Sequence, residues 1–389
     1  MMLPAAHINL DYAASTPLRA EALEAMRSYD ASPIAGANPN SLHTLGREAA
    51  RALEAARRSV ASSLGCGVRP QEVIFTSGGT EANVLALFGI AEAVRAKDPA
   101  RTRIVVSAIE HDSILDNIPA LHAAGFAVDI VKPSARGVIE PETLNGLLDD
   151  HVALVSIMFA NNETGALQPI EELARAAHTA GAYVHTDAIQ GYLHAPLDVN
   201  ALDVDALSLA GHKVGAPVSC GALYLRRGTP FAPRSRGGGQ EAGRRPGTQD
   251  VRSVLALAAV ASALAPGVEG EWLRLRTLSD ALYARLLTSP RIHATLGSPV
   301  PAGRLGGIVS IYVDGFESEE LILQLDQHGF CVSAGSACSS ASAQASHVLT
   351  AMGLAGDAAN GSLRISFDDR VDPEALDAFT KALLTIVEG

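Results

Sequence analysis

Short apolar runs alternate with amphipathic stretches through the first 225 residues of the chain. EVIFT (72–76) precedes a helical stretch over 81–97, and RIVVS (103–107) precedes another near 113–124. FAVDIV (126–131), VALVSIMF (152–159), AYVHT (182–186), VDALSL (204–209) and GALYL (221–225) follow. Several of these runs lack polar alternation, as strands do when helices cover both of their faces. Strand–helix alternation of this kind predicts a mostly parallel sheet. The pattern changes after RSRGGGQEAGRRPGTQD (234–250). Helical periodicity over 251–265 and 271–287 leads to an isolated strand, GIVSIYV (307–313), and a helix over 318–328. A small-residue loop (333–346), a strand in SLRISF and a last helix over 373–387 complete the chain. This second pattern predicts a smaller α/β domain.

Composition narrows the class. The chain has 389 residues, 48% of them hydrophobic and 19% charged, enough for a large core and against wholesale disorder. The apolar run 254–265 stops at Pro266, short of a bilayer span, and MMLPAAHINLDY has no signal-like pattern. A net charge of −12 argues against bulk nucleic-acid binding. Four cysteines without a C-x-x-C pair predict neither a disulfide framework nor a structural zinc site, and a reducing cytoplasm is the expected setting. Only four of the 30 basic residues are lysines, which shortens the list of candidate amines.

P-loop, dinucleotide and serine-hydrolase motifs are absent. TSGGTEAN (76–83) instead places Gly79 and Thr80 where a strand gives way to a helix, a geometry that suits phosphate; a tight turn with Thr80 as N-cap is the plain alternative. Lys97, Lys132 and Lys381 read as solvated. Lys213, in SLAGHKVGAP, lies between apolar and small residues past a buried strand, where desolvation suits an amine to Schiff-base chemistry; a salt-bridged lysine is the alternative. Asp187, in HTDAIQ, follows a strand and suits a pyridinium nitrogen or, equally, a helix cap. His111, in EHDSILD, suits ring stacking, proton transfer or capping. Together these features point to pyridoxal phosphate.

Cys338 lies in SAGSACSSASAQASH, a run with little apolar surface to hold it, and reads as a nucleophile or as an unreactive linker cysteine. Cys331 reads as a buried apolar residue, Cys66 as a loop residue, and Cys220 as the entry to a core strand. Arg364, inside an apolar strand, needs a carboxylate, either a bound amino acid or a structural partner such as Asp368 or Asp369. Arg234, Arg236, Arg244 and Arg245 either face an acidic partner or flank a cofactor loop.

At these residues the sequence resembles the cysteine desulfurases, pyridoxal-phosphate enzymes of the class V aminotransferase group, and among them the NifS/IscS-like branch with the long catalytic-cysteine loop. LDYAASTP, ANPNSLHTLGREA, FTSGGTEAN, EHDSILD, NNETG, HTDAIQ, SLAGHKVGAP, GGGQEAGRRPGT, SAGSACSSAS, SHVLTAMGL and SLRISF carry the resemblance nearly end to end. It implies the α/β, aspartate aminotransferase-like fold of PLP-dependent transferases. The large PLP-binding domain would cover 16–255, and a small domain 1–15 with 256–389. It implies that Lys213 bonds the cofactor and moves protons, that His111 stacks on the ring, that Asp187 pairs with the ring nitrogen and that Gln190 reaches the ring hydroxyl. Gly79, Thr80 and His212 would hold the phosphate, with Thr248 reaching the phosphate of a second subunit in a homodimer with a shared active site. Asn162 and Arg364 would hold the substrate carboxylate, with Asn38 a further candidate. Cys338 would take sulfur from L-cysteine, leaving alanine and a persulfide for a sulfur acceptor or iron–sulfur scaffold protein. No metal, membrane or nucleic acid is expected.

The chain departs from the pattern at Ala210, where many members carry a phosphate-binding serine. Ser208, two residues earlier, is not expected to reach as far. VGAPVSCGALYL after Lys213 lacks the basic and glycine residues often seen there, and with the last helix closing at Gly389 a longer tail of the kind used for partner docking is not expected. Two other readings compete: a related pyridoxal-phosphate enzyme (selenocysteine lyase, epimerase or aminotransferase), and a non-enzymatic sulfur relay. Cys338 favours the desulfurase over the first; Lys213, Asp187 and His111 argue against the second.

Overall fold

A computed structural model describes residues 7–335 and 346–389. The chain opens with strand β1 (Ile8–Asn9) and helices α1 (Ala20–Asp30) and α2 (Thr44–Ser62). Then β2 (Val73–Thr76) leads into α3 (Gly79–Lys97), and β3 (Arg103–Ser107) into α4 (Asp112–Leu115) and α5 (Ile118–Ala123). Next come β4 (Ala127–Val131), α6 (Pro141–Asn145), β5 (Val152–Ser156), α7 (Ile170–Thr179), β6 (Tyr183–Asp187), β7 (Ala206–Ala210) and β8 (Gly221–Leu225). The remainder holds α8 (Val251–Leu264), α9 (Val268–Leu286), β9 (Ile292–Ala294), β10 (Ile308–Val313), α10 (Ser318–Gln327) and β11 (Phe330–Cys331). It ends with α11 (His347–Ala351), α12 (Asp357–Asn360), β12 (Ser362–Ser366) and α13 (Pro373–Glu388).

The large sheet has the order β2-β8-β7-β6-β5-β3-β4, and β8 alone runs against its neighbours. Successive side chains of a strand point to opposite faces, and here both faces are buried. Val73, Phe75, Val105, Val155, Val184 and Leu207 face one core with α8 and α2. Ile74, Ile104, Val106, Leu154 and Ala206 face a second with α3. Continuous apolar runs are the consequence, so the strands were legible without alternation.

The isolated strand expected at 307–313 is instead the centre of an antiparallel sheet, β12-β10-β9. Three-residue β9, IHA, is too short for its period to stand out. Leu10, Leu282, Ile311, Phe330, Leu363 and Phe379 form the core of this unit. β1 enters it from the other end of the chain, paired in parallel with β11. Cys331 in β11 is half-exposed rather than buried. Helices α8 and α9, joined by one tight turn at Ala265–Gly267, form a run long and apolar enough by composition to cross a bilayer. Its apolar side is used in the core, where Val254, Leu257, Val260 and Ala261 are buried.

Among the polar groups buried in the large unit are an ion pair and a lone carboxyl. Arg57 of α2 donates to both carboxylate oxygens of Glu241, at 2.5 and 2.9 Å. Glu241 also accepts from the Phe75 amide (2.9 Å) and Gln249 (3.1 Å), which ties the 234–250 loop to β2. Glu241 and Ala242 both take left-handed backbone angles, φ 50° and 55°, a local cost that the buried pair offsets. The second group is Glu110, just past β3. Its carboxyl accepts from Ser107 and, at 2.7 Å, from the Met158 amide. Burial, with a smaller contribution from the Asp187 charge, pushes its pKa up to about 8.

Two outcomes are expected. Glu241→Ala strands a buried guanidinium and should cost on the order of 3–5 kcal/mol. Glu54→Ala, which removes the half-exposed partner of Arg57, should cost less than about 1 kcal/mol. Urea midpoints of the two variants check the contrast. For Glu110, the folded state holds its proton above the ordinary carboxylate range. That contribution to stability is therefore complete below 4.5 and is lost as pH rises through about 8. Glu110→Gln, which mimics the protonated form, should flatten the fall in stability across this window and gain on the wild type at its upper end. Urea unfolding at a series of pH values measures this; parallel curves would reject it.

Candidate active site

The strand ends that point the same way converge on one cavity of about 340 Å³. β2 delivers the turn Ser77–Thr80, β3 delivers His111, β5 leads to Asn162, β6 ends at Asp187, and β7 leads to His212 and Lys213. This is the C-terminal edge of the sheet, where open α/β sheets bind ligands. Gly79, Thr80, His111, Asn162 and Asp187 line the cavity, and so do Gln190, His212, Lys213 and Arg364. Nine expected site residues, up to 285 positions apart between Gly79 and Arg364, thus share one wall.

The anion turn is shaped by its glycines. Gly78 sits at φ 152°, and a Cβ on Gly79 would meet the Ile189 side chain at 2.2 Å. Helix α3 starts at Gly79 with Gly78 as its N-cap, so Thr80 lies inside the first turn and is not the cap. Gly79 and Thr80 thus line the cavity at a helix start, where the first amides have no intrahelical partner.

Asp187 is 3% exposed. Its Oδ2 accepts from Asn83 at 2.6 Å, and its Oδ1 from the Ile189 amide at 2.9 Å. Burial raises its pKa, opposed by those two hydrogen bonds and by the charges of His111 and Lys213. Asp187 closes a local turn rather than capping a helix, and its buried carboxylate lines the cavity. His111 likewise caps α4, accepting from the Ser113 amide at 3.0 Å, while its ring lines the cavity. Asn83, in the quoted TSGGTEAN run, was given no role. Its place one helical turn beyond Thr80 is the signal for a residue behind the cavity wall, where it reaches Asp187.

Lys213 emerges just after β7, and its Nζ donates to the carbonyls of Ala13 (2.6 Å) and Ala14 (2.9 Å). The Lys213 carbonyl accepts from Thr16 at 2.8 Å and lies 2.8 Å from His194 Nε2. His212 is pushed down to about 4 by burial and then by the neighbouring Lys213 and His111 charges, so its ring is neutral and offers hydrogen bonds without charge. Ala210 is fully buried. Ser208, two residues earlier, is 2.9 Å from His185 Nε2, and His185 Nδ1 is 2.8 Å from Ser156. Burial holds His185 down to about 3, so this buried row is neutral and Ser208 does not replace a hydroxyl at Ala210.

Arg364 is 1% exposed. It donates to Asp11 at 2.8 Å and to the Asn162 carbonyl at 2.9 Å, and its Nε has no partner among the described residues. Its partner is therefore Asp11. Asp368 and Asp369 are taken by Arg19, each at 3.0 Å, and Asp368 also by Arg370 at 2.7 Å. Glu163 lines the cavity beside Arg364, with its carboxyl raised by burial and bonded to Ser346 at 2.5 Å. Neither Asp11 nor Glu163 was singled out. Glu163 lies in the quoted NNETG, whereas Asp11 meets Arg364 across 353 positions and leaves no local signal.

Two expected residues lie away from the cavity wall. Asn38 is exposed and accepts from Asn40, which in turn donates to Gln249. Thr248, also exposed, adjoins Gln249. The segment around both faces out from this chain. Cys338 lies outside the described residues. Among the four loop arginines, Arg234 pairs with Glu92 and stacks on Phe88, Arg244 donates to carbonyls of Glu241 and Gln71, and Arg245 pairs with Glu81. Three of the four are therefore engaged within the chain.

Comparison with known proteins agrees with this geometry. The family model for aminotransferase class V matches residues 8–379. The chain is 41% identical over 383 residues to the IscS-like cysteine desulfurase of Mycobacterium tuberculosis, covering 98% of this chain and 95% of that protein. It is 37% identical over 381 residues to the cysteine desulfurase IscS of Methanosarcina thermophila, with 98% and 92% coverage. A solved NifS-like protein superposes with a TM-score of 0.89 at 32% identity, covering 98% of this chain and 99% of that one. With the cavity on the shared sheet edge and a match over nearly its whole length, the chain belongs to the class V aminotransferase family, in its IscS- and NifS-like cysteine desulfurase branch.

Proposed function

We propose that the protein is a pyridoxal-phosphate-dependent cysteine desulfurase that converts L-cysteine to L-alanine and passes the sulfur to an acceptor through a persulfide on Cys338. The observation that carries the reading is the convergence of Lys213, Asp187, His111 and Arg364 on one cavity.

The residues present fit the cofactor. Gln190 is buried in the cavity wall with its Oε1 unpartnered among the described residues, which suits a ring hydroxyl. Asp187, raised by burial, gains from a protonated ring nitrogen. The glycine-shaped turn and the first amides of α3, with Thr80 and neutral His212, suit a phosphate. Lys213 supplies the amine, and His111 the ring that stacks.

Bound pyridoxal phosphate supplies an electron sink for bond cleavage at the amino acid. The chain's own groups do the rest. Arg364 is a cation held rigid at the cavity wall, and with Asn162 it receives the substrate carboxylate. Lys213 gives and takes a proton at the substrate Cα, with its amine held by the Ala13 and Ala14 carbonyls. His111, whose ring lines the same cavity, would exchange a further proton. The Cys338 thiolate attacks the substrate sulfur: an S–S bond forms, the Cβ–S bond breaks, and a proton ends on Cβ to give alanine. Cys220 does not compete, because burial pushes its thiol up to about 12.

The exposed Thr248 is assigned to a homodimer, where it reaches the phosphate of the second copy; Asn38, the further candidate for the substrate carboxylate, does not line this chain's cavity. The persulfide goes to an iron–sulfur scaffold or thiolation partner, in a cytoplasm reducing enough to keep the thiol free.

Lys213→Ala should leave no borohydride-stable pyridoxyl adduct on the protein. Finding that adduct on Lys97, Lys132 or Lys381 by peptide mass spectrometry would show the assignment to be wrong. Cys338→Ser should still bind pyridoxal phosphate and L-cysteine yet lose alanine and sulfide production by on the order of a thousandfold or more. Brief exposure of the wild type to cysteine should add one sulfur atom to Cys338 and none to Cys66 or Cys220. Desulfuration by the serine variant at the wild-type rate would favour a related pyridoxal-phosphate reaction instead.

A further inference from the structure

The anion turn carries a negative charge of its own. Glu81 stands in the first turn of α3, and its Oε2 accepts the Ser77 amide at 2.5 Å. The carboxylate thereby closes the turn from Ser77 to Glu81 upon itself. A carboxylate is favourable at a helix N-terminus, but it repels a second anion placed at the same end. The groups that face the proposed phosphate from Thr80 and His212 are neutral. Glu81 therefore works against the ligand unless its charge is matched.

Arg245 matches it. Reaching in from the RRPGT segment, its Nε donates to Glu81 Oε1 at 3.0 Å and its Nη2 to Oε2 at 3.2 Å. The pair is partly shielded, with side chains 20% and 31% exposed. Its Nε and Nη2 are turned onto the carboxylate, and Arg245 does not line the cavity. Its loop is fixed independently by the buried Arg57–Glu241 pair, so the guanidinium is presented to Glu81 rather than left to find it.

We infer that Arg245 is a positioning residue for the cofactor phosphate: it neutralises Glu81, so that this carboxylate can shape the Ser77–Thr80 turn without repelling the anion bound there. The inference rests on the pyridoxal-phosphate reading above. It assigns Arg245 an effect on charge, felt only by a ligand that carries phosphate. A purely structural role would affect any ligand, and a direct phosphate contact would not depend on Glu81.

The test is equilibrium titration of the full-length apoprotein with pyridoxal phosphate and with pyridoxal, which lacks the phosphate. Arg245→Gln should weaken pyridoxal phosphate roughly tenfold and leave pyridoxal within about twofold. Glu81→Gln keeps an acceptor for the Ser77 amide and should bind pyridoxal phosphate at least as tightly as the wild type. The double variant R245Q/E81Q should return to within about threefold of the wild type. A double variant as weak as Arg245→Gln alone would overturn the inference, because Arg245 would then act on the phosphate or the loop directly. Equal weakening of both aldehydes by Arg245→Gln would overturn it too. A wild type that binds both aldehydes equally well would instead remove the phosphate site, and the cofactor reading with it.

Discussion

A carboxylate buried at the end of β6 sets the terms for much of this structure. Asp187 cannot be desolvated without donors, so Asn83 and the Ile189 amide are brought to it. Two of the buried groups around it are kept uncharged. His185, two residues earlier on the same strand, is held neutral between two serines, and Glu110 keeps its proton well above the ordinary range. The result is a buried, hydrogen-bonded carboxyl in the cavity wall backed by neutral polar groups, an arrangement that favours a cationic partner.

The second constraint is mechanical. The sheet ends in loops that must hold side chains to within a fraction of an ångström, and loops are poor at this alone. Here each is tied to something buried. The 234–250 loop is held through Glu241, the Lys213 turn through Thr16 and Arg19, and Arg364 through Asp11 and the Asn162 carbonyl. Arg19 donates to the Val214 carbonyl while pairing with Asp368 and Asp369, so the lysine turn and the end of β12 are fastened by one side chain.

What could be read in the sequence follows from these distances. The strands were legible because burial on both faces makes them continuous apolar runs, and β3 and β8 occupy the stretches read for them. The site lysine was legible because only four lysines exist. Pairs joined across long separations were not. Arg57 meets Glu241 across 184 positions and Asp11 meets Arg364 across 353, and neither partner differs in composition from an ordinary surface residue. β9 was missed because three residues carry no period, and the use of Ser208 by His185 depends on strand order rather than on spacing.

The segment from β1 to Arg19 has a consequence for how the protein comes into being. It is made more than three hundred residues before its partners: Ile8 and Leu10 bond to the backbone of Gly329 and Cys331, Asp11 to Arg364, and Arg19 to Asp368 and Asp369. The same segment supplies the two carbonyls that hold the lysine amine. On the ribosome the seven-stranded sheet has all its strands once Leu225 has emerged, but its ligand edge stays open until β12 follows well over a hundred residues later. The cavity wall is therefore complete only after β12 has been made, so a product stalled before it carries the large sheet without Arg364.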